Sequence, residues 1–167
     1  MDTINYHENL QSFVDSIRNS FVEKISFDVD TNPTFDKNAI PFQFIYCNSI
    51  RLTTEKEYFD ITTSMTDRAV ETFWIVASPE VKNFSRHLEV NSKVKDISFK
   101  TGTDDYAFKI RIEFENRNLL IYSAEVYDRE NNAFDYTIND EMILVFENDT
   151  DAEKFEEKIN ERKNRSR

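Results

Sequence analysis

The chain has 167 residues, with 32 acidic and 21 basic side chains and a net charge of −11, which is the size of one domain able to bury a core without staples. That charge repels phosphate backbones and anionic membranes and favours basic partners. Gly102 is the only glycine, where average usage of ~7% gives about a dozen, and this excludes phosphate-cradling loops, dinucleotide-binding turns and the nucleophile elbow.

The opening MDTINYHENLQSFV has no signal-peptide segment. The longest apolar runs, Phe73 to Ala77 and Met142 to Phe146, are far too short to span a bilayer. Cys47 is the only cysteine, so no internal disulfide forms. The expectation is a cytoplasmic protein without a membrane partner.

Leu10, Phe13, Val14, Ile17 and Phe21 recur at helical spacing and predict a core-docking helix from about His7 to Lys24. A strand, Ile25 to Val29, follows. Asp30 to Pro41 is a loop punctuated by Pro33 and Pro41. Asp28, Asp30 and Asn32 imitate the start of a calcium loop, but Pro33 stands where glycine is needed and Ala39 where a bidentate Glu is needed. Alternation returns with Phe42, Phe44 and Tyr46, then Ile50 and Leu52; Tyr58 to Thr63 is another β-prone run. Ala69 to Ala77 is apolar on both faces and reads as a central strand. Ser78-Pro79-Glu80 is a helix-start pattern, with Val81, Phe84 and Leu88 as the inward side of a middle helix.

The second half opens with a strand at about Val94 to Lys100. Next comes the clearest signal in the chain, Phe108 to Tyr127. Phe108, Ile110, Ile112 and Phe114 alternate with Lys109, Arg111, Glu113 and Glu115. Asn116-Arg117-Asn118 breaks the run, and Leu120, Tyr122, Ala124 and Val126 resume one face. This is a hairpin with one buried and one solvated face. Phe134 to Ile138 and Met142 to Phe146 are two further strands. Thr150-Asp151-Ala152-Glu153 is a capping-box pattern opening a last helix, with Ala152, Phe155 and Ile159 inward. Residues 162–167 form a basic tail expected to fray.

The expected fold is therefore α+β, one domain over residues 1–167. It is a twisted antiparallel β-structure of eight or nine strands with N-terminal, middle and C-terminal helices. Halves 25–90 and 97–161 share a layout: Ile25-Ser26-Phe27 matches Ile97-Ser98-Phe99, and Val81, Phe84 and Leu88 match Ala152, Phe155 and Ile159. A diverged β4α duplication gives this spacing, and so does chance. Four strands and a helix given twice resembles the Whirly type of single-stranded nucleic-acid binder. The resemblance is one of layout, with no shared motif, and it carries no residue over. Some bacterial toxin-immunity proteins have been likened to that fold, an analogy that implies an inhibitor.

His7 and His87 have no ligand partner at i+3 or i+4, so no zinc site assembles from sequence. Cys47 reads as a small buried strand residue rather than a nucleophile served by His87. Acid pairs at Asp104-Asp105, Asp128/Glu130 and Asp149/Asp151 fit turns and caps. Lys109, Arg111, Lys95 and Lys100, with Tyr106 or Tyr122, read either as a nucleic-acid face or as a solvated sheet face paired with Glu113, Glu115 and Glu125. The leading expectation is a non-enzymatic acidic binding protein, with no cofactor or metal. It would neutralise a basic protein partner, as a toxin-immunity protein or phage-encoded inhibitor does. Glu113, Glu115, Asp128 and Glu130 supply the charge and Tyr127 an anchor. The alternatives are a single-stranded nucleic-acid binder using the sheet face and a phage structural component.

Overall fold

The computed structural model describes residues 5–128 and 134–165. In chain order the elements are α1 (Tyr6–Ile17), β1 (Phe21–Val29), β2 (Ile45–Thr54), β3 (Tyr58–Met65), β4 (Glu71–Ser78), β5 (Arg86–Thr101), β6 (Ala107–Phe114), β7 (Asn118–Asp128), β8 (Phe134–Phe146) and α2 (Asp149–Arg165). Every strand pairing is antiparallel, in the order β1-β5-β6-β7-β8-β2-β3-β4, and β1 also pairs with β2. That last pairing closes a ring of six strands, β1-β5-β6-β7-β8-β2, and leaves β3 and β4 as a hairpin outside it. Closure removes sheet edges from the ring and confines the open edge to β4.

Helix α1 starts where the Asn5 side chain accepts a hydrogen bond from the Glu8 N–H at 3.0 Å. It buries Leu10, Phe13, Val14 and Ile17, and stops at Ile17 rather than Lys24. Asn19 takes a left-handed φ of 65°, which asparagine tolerates. The Asn19 N–H and the Ser20 carbonyl are both bonded to Val94. The chain is thus already committed to the sheet, and Phe21 and Val22 start β1.

β5 is sixteen residues long, far beyond the expected 94–100. Its first half pairs with β1 and its second with β6. Asn91, at φ 44°, lies in the bulge of the β1-paired half, between Glu89, which faces Lys24, and Ser92, which faces Val22. The expected strands at 134–138 and 142–146 are one strand, β8, interrupted by a bulge. Ala124 faces Ile138 while Ser123 faces Ile143, so residues 139–142 lie outside the ladder. Asn139 pins the bulge. Its Nδ2 donates to the carbonyls of Glu71, Tyr106 and Ala107 at 3.1, 3.3 and 3.2 Å, and its Oδ1 accepts from the Thr103 N–H at 3.1 Å. Gly102 lies against this knot: a Cβ there would come within 2.8 Å of the Phe108 ring and 2.9 Å of Asn139 Oδ1.

Two apolar cores follow. The larger fills the ring and is covered by α1 and the inward faces of β3 and β4, with Ile25, Ile50, Leu52, Phe73, Ile110, Ile112, Leu119 and Ile121. The second lies outside the ring, where α2 and the 35–46 segment cover Tyr46, Leu120, Tyr122, Tyr136, Phe146 and Phe155. The hairpin reading changes accordingly. Ile110 and Ile112 face Ile121 and Leu119 across the ladder, whereas Leu120 and Tyr122 face Arg111 and Lys109. Both faces of β7 are buried. The charged face of β6 lies under α2, where Lys109 pairs with Glu156 and Arg111 with Asp149.

The middle helix is absent. Ser78 performs its local task, its Oγ accepting the Glu80 N–H at 3.2 Å, but no helix follows. Arg51, 3% exposed, grips Asp60 with Nε–Oδ1 at 2.6 Å and donates to the Glu80 carbonyl at 2.6 Å. Its guanidinium stacks between Tyr58 and Phe84, at 4.5 and 5.4 Å. Residues 79–84 are fixed to that guanidinium, Leu88 is drawn into pairing with Ile25, and Val81 is 83% exposed. The first half therefore has no counterpart of α2, and Val81, Phe84 and Leu88 are not equivalent to Ala152, Phe155 and Ile159. β4, read as central because it is apolar on both faces, is the edge strand and pairs only with β3; α1 packs on its inner face, and Val76 on the other is 46% exposed. α2 runs to Arg165, into the basic stretch expected to fray.

Phe155→Ala should cost about 3–5 kcal/mol, because the ring is fully buried among Phe42, Tyr122, Tyr136 and Phe146. Val81→Ala should stay within about 0.5 kcal/mol. Urea denaturation of both variants checks the pair, and equal losses would contradict the core assignment.

Candidate functional site

The concave surface that stands out lies along the open edge of β4. The strand edge runs between two clefts of about 580 Å3 each, a size within the range of ordinary ligand clefts. One cleft lies between β4 and α1 and is lined by Glu8, Ser12, Phe13, Glu57, Ile75 and Ala77. A shallow extension along the helix adds Asp15. The other lies between β4 and the β2–β3 turn and is lined by Glu23, Thr53, Glu55, Lys56, Tyr58 and Pro79. Ala77 and Glu57 line both.

Local sequence sets the geometry. Thr54 closes the turn on itself: its Oγ1 donates to the Glu57 carbonyl at 2.9 Å and accepts the Glu57 N–H at 3.2 Å. Glu55, Lys56 and Glu57 project into solvent as a result. On α1 the apolar stripe faces the core, so Glu8 and Asp15 fall on the outside. Five carboxylates, Glu8, Asp15, Glu23, Glu55 and Glu57, line this surface against the single cation Lys56. None of the five is in an ion pair among the described residues. Thr53 is only 7% exposed, and its Oγ1 has no hydrogen-bond partner.

The backbone of β4 is half occupied. Asn9 reaches from α1 as a strand mimic: its Nδ2 donates to the Ile75 carbonyl at 2.8 Å and its Oδ1 accepts the Ile75 N–H at 2.9 Å. Ile75 therefore points its polar groups away from β3. By antiparallel alternation in an unbroken register Ala77 does the same. Nothing among the described residues pairs with the Ala77 N–H or carbonyl.

The residues singled out from sequence lie elsewhere. Glu113 is tied to Arg111 at 2.7 Å, and Glu115 is exposed beside the β6–β7 turn. Tyr127 and Asp128 are at the far end of β7, paired with Asp135 and Phe134. At ~3.3 Å per residue, about 30 Å of strand separates the two groups. Glu130 lies outside the described residues. The acids of the β4 surface come from three separate stretches of chain, α1, β1 and the β2–β3 turn; the one local signal was the acidic turn Glu55-Lys56-Glu57 between two β-runs.

Of the basic sheet face, Lys109 and Arg111 are engaged, while Lys95 and Lys100 are exposed and in no ion pair among the described residues. Lys109 Nζ donates to Glu156, and the hydroxyl of Tyr122, itself 0% exposed, donates to Glu156 at 2.7 Å. Cys47 is also buried, its Sγ donating to the Ile143 carbonyl at 3.6 Å, and burial pushes the thiol far up. His87 is spent on Ser26, at 2.8 Å. Among the described residues no group of three His, Cys, Asp or Glu side chains is placed to hold a metal ion, and no helix is long and apolar enough to cross a membrane. No protein-family model, curated protein or solved structure matches the chain.

Two sets of carboxylates give stability an opposed pH dependence. Burial raises the Asp60 and Glu156 carboxyls, but Arg51 acting on the first, and Lys109 with Tyr122 on the second, leave both below the ordinary range. Glu71 and Glu125 are raised, by burial and then by Asp140 and Glu141 crowded beside them. A raised acid favours the folded state when protonated; a lowered one favours it when charged. Stability should therefore rise as pH falls from neutral toward the glutamate range, then fall as Asp60 and Glu156 protonate below it. Urea midpoints against pH test this, and Glu71→Gln with Glu125→Gln should abolish the initial rise.

Proposed function

We propose that this protein is an acidic, non-enzymatic binding protein that neutralises a basic protein partner, in the manner of a toxin-immunity protein or a phage-encoded inhibitor. The observation that carries the reading is the set of carboxylates around the β4 edge, Glu8, Glu23, Glu55 and Glu57, none of which is in an ion pair among the described residues. Carboxylates bound to their own lysines and arginines have little field left for a partner, whereas free ones steer and hold a cationic surface. The net charge of −11 acts in the same sense at longer range. In favour of a binding role rather than catalysis, the thiol is inaccessible and both arms of the sequence-level Cys47–His87 pair are otherwise engaged.

The single-stranded nucleic-acid reading draws less support. Tyr122 has no exposed face on which a base could stack, and Lys109 and Arg111 are neutralised by α2. A direct comparison separates the two. At low salt the protein should bind a lysine-rich polypeptide, with affinity falling steeply as salt rises, and should leave a mixed oligonucleotide in solution. Glu55→Lys with Glu57→Lys should slow association with the polypeptide about tenfold and change dissociation much less. Retention of the oligonucleotide on a filter, with a steep negative salt slope, would replace this reading with the nucleic-acid one.

A further inference from the structure

The two clefts flank the edge of β4 on opposite faces, and that arrangement says more than charge alone. A strand laid beside β4 sends alternate side chains to opposite faces of the sheet. One set would enter the α1 side, toward Glu8, Asp15 and Glu57; the other would enter the turn side, toward Glu23 and Glu55. Between them the Ala77 N–H and carbonyl offer the two hydrogen bonds of one ladder position. Thr53, buried and without a hydrogen-bond partner, lines the turn-side cleft. We infer that the β4 edge receives an extended, lysine- or arginine-rich segment of a partner protein by strand addition, paired at Ala77.

The inference rests on the acidic-partner reading and adds the conformation of what is bound. Main-chain bonds at the edge hold the segment, and the flanking carboxylates select basic side chains. Asn9 sets the limit of the site. By occupying Ile75 it closes the strand on that side, and Pro79, which has no N–H, closes it on the other. The open edge is thus short, long enough to take one segment and too short to invite a second copy of the chain to zip along it. Repulsion between two acidic copies acts the same way.

The probe is a ten-residue peptide of alternating lysine and threonine, compared with the same peptide methylated on every backbone nitrogen. Charge is equal in the two; only the parent can donate main-chain hydrogen bonds. Binding at low salt is read by fluorescence anisotropy, and hydrogen exchange of the Ala77 amide by NMR. The parent peptide should slow exchange at Ala77 at least tenfold, and methylation should weaken binding about tenfold. Ala77→Pro, at a position whose N–H is unbonded in the fold, should weaken the parent peptide by a similar factor and leave the melting curve near that of the wild type. If the methylated peptide binds as well as the parent and Ala77 exchange is unmoved, strand addition is wrong and the acidic-partner reading stands on charge alone. If neither peptide binds, and Glu55→Lys with Glu57→Lys changes nothing, both readings fail.

Discussion

β2 has one strand's length and three neighbours, and the rest of the architecture depends on how it divides them. One edge is given to β1 along most of its length. The other is split: Ile45–Cys47 pair with β8, and Ile50–Thr53 pair with β3. The first half of that edge closes the ring. The second sends β3 and β4 out of it as a hairpin that reaches α1. Arg51, on the second half of β2, holds the base of that hairpin with a double hydrogen bond to Asp60 and ties down the chain leaving β4. A buried ion pair of this kind contributes little net stability against an apolar substitute. Its contribution here is directional: it fixes where β4 ends and so where the open edge lies.

The division also sorts the charges. Acids near α2 are used internally, with Glu156 held by Lys109 and Tyr122 and Asp149 by Arg111 and Asn118. At the hairpin Asp60 is taken by Arg51 and Lys82, whereas Glu8, Glu23, Glu55 and Glu57 around the β4 edge are in no ion pair among the described residues. A count of charged residues treats both groups alike. Only the fold distinguishes carboxylates that stabilise the protein from those that face outward without a counterion.

Much of the architecture was legible because it was local. The alternation in 108–114, the stripe in the first helix and the inward Ala152, Phe155 and Ile159 all reflect a periodicity that any burying partner would impose. What was not legible depended on residues distant in sequence. The Ser78-Pro79-Glu80 cap pattern is genuine at the level of one hydrogen bond, but whether a helix follows was decided by Arg51 and by the pairing of Leu88 with Ile25. β4 was read as central because it is apolar on both faces, yet it is the edge strand: α1 packs against its inner face and Val76 on the other face is exposed. Apolar residues record that a surface is buried and do not record by what. The candidate site was hidden for the same reason: Glu8, Glu23 and Glu57 share a surface only after the hairpin has folded across α1.

The ring has a consequence for the order in which the chain can be made. Cys47 and its neighbour Ile143 are 96 residues apart, so β2 lacks its β8 partner until that much further chain has left the ribosome. Until then the ring is an open sheet whose β2 edge exposes an apolar strand, the kind of edge that captures other nascent chains. The last of the six ring strands to emerge is the one that seals it, and α2 follows at once to cover the outer aromatic core. Truncation shortly before residue 143 would therefore leave a sticky, unclosed sheet in place of a smaller folded protein.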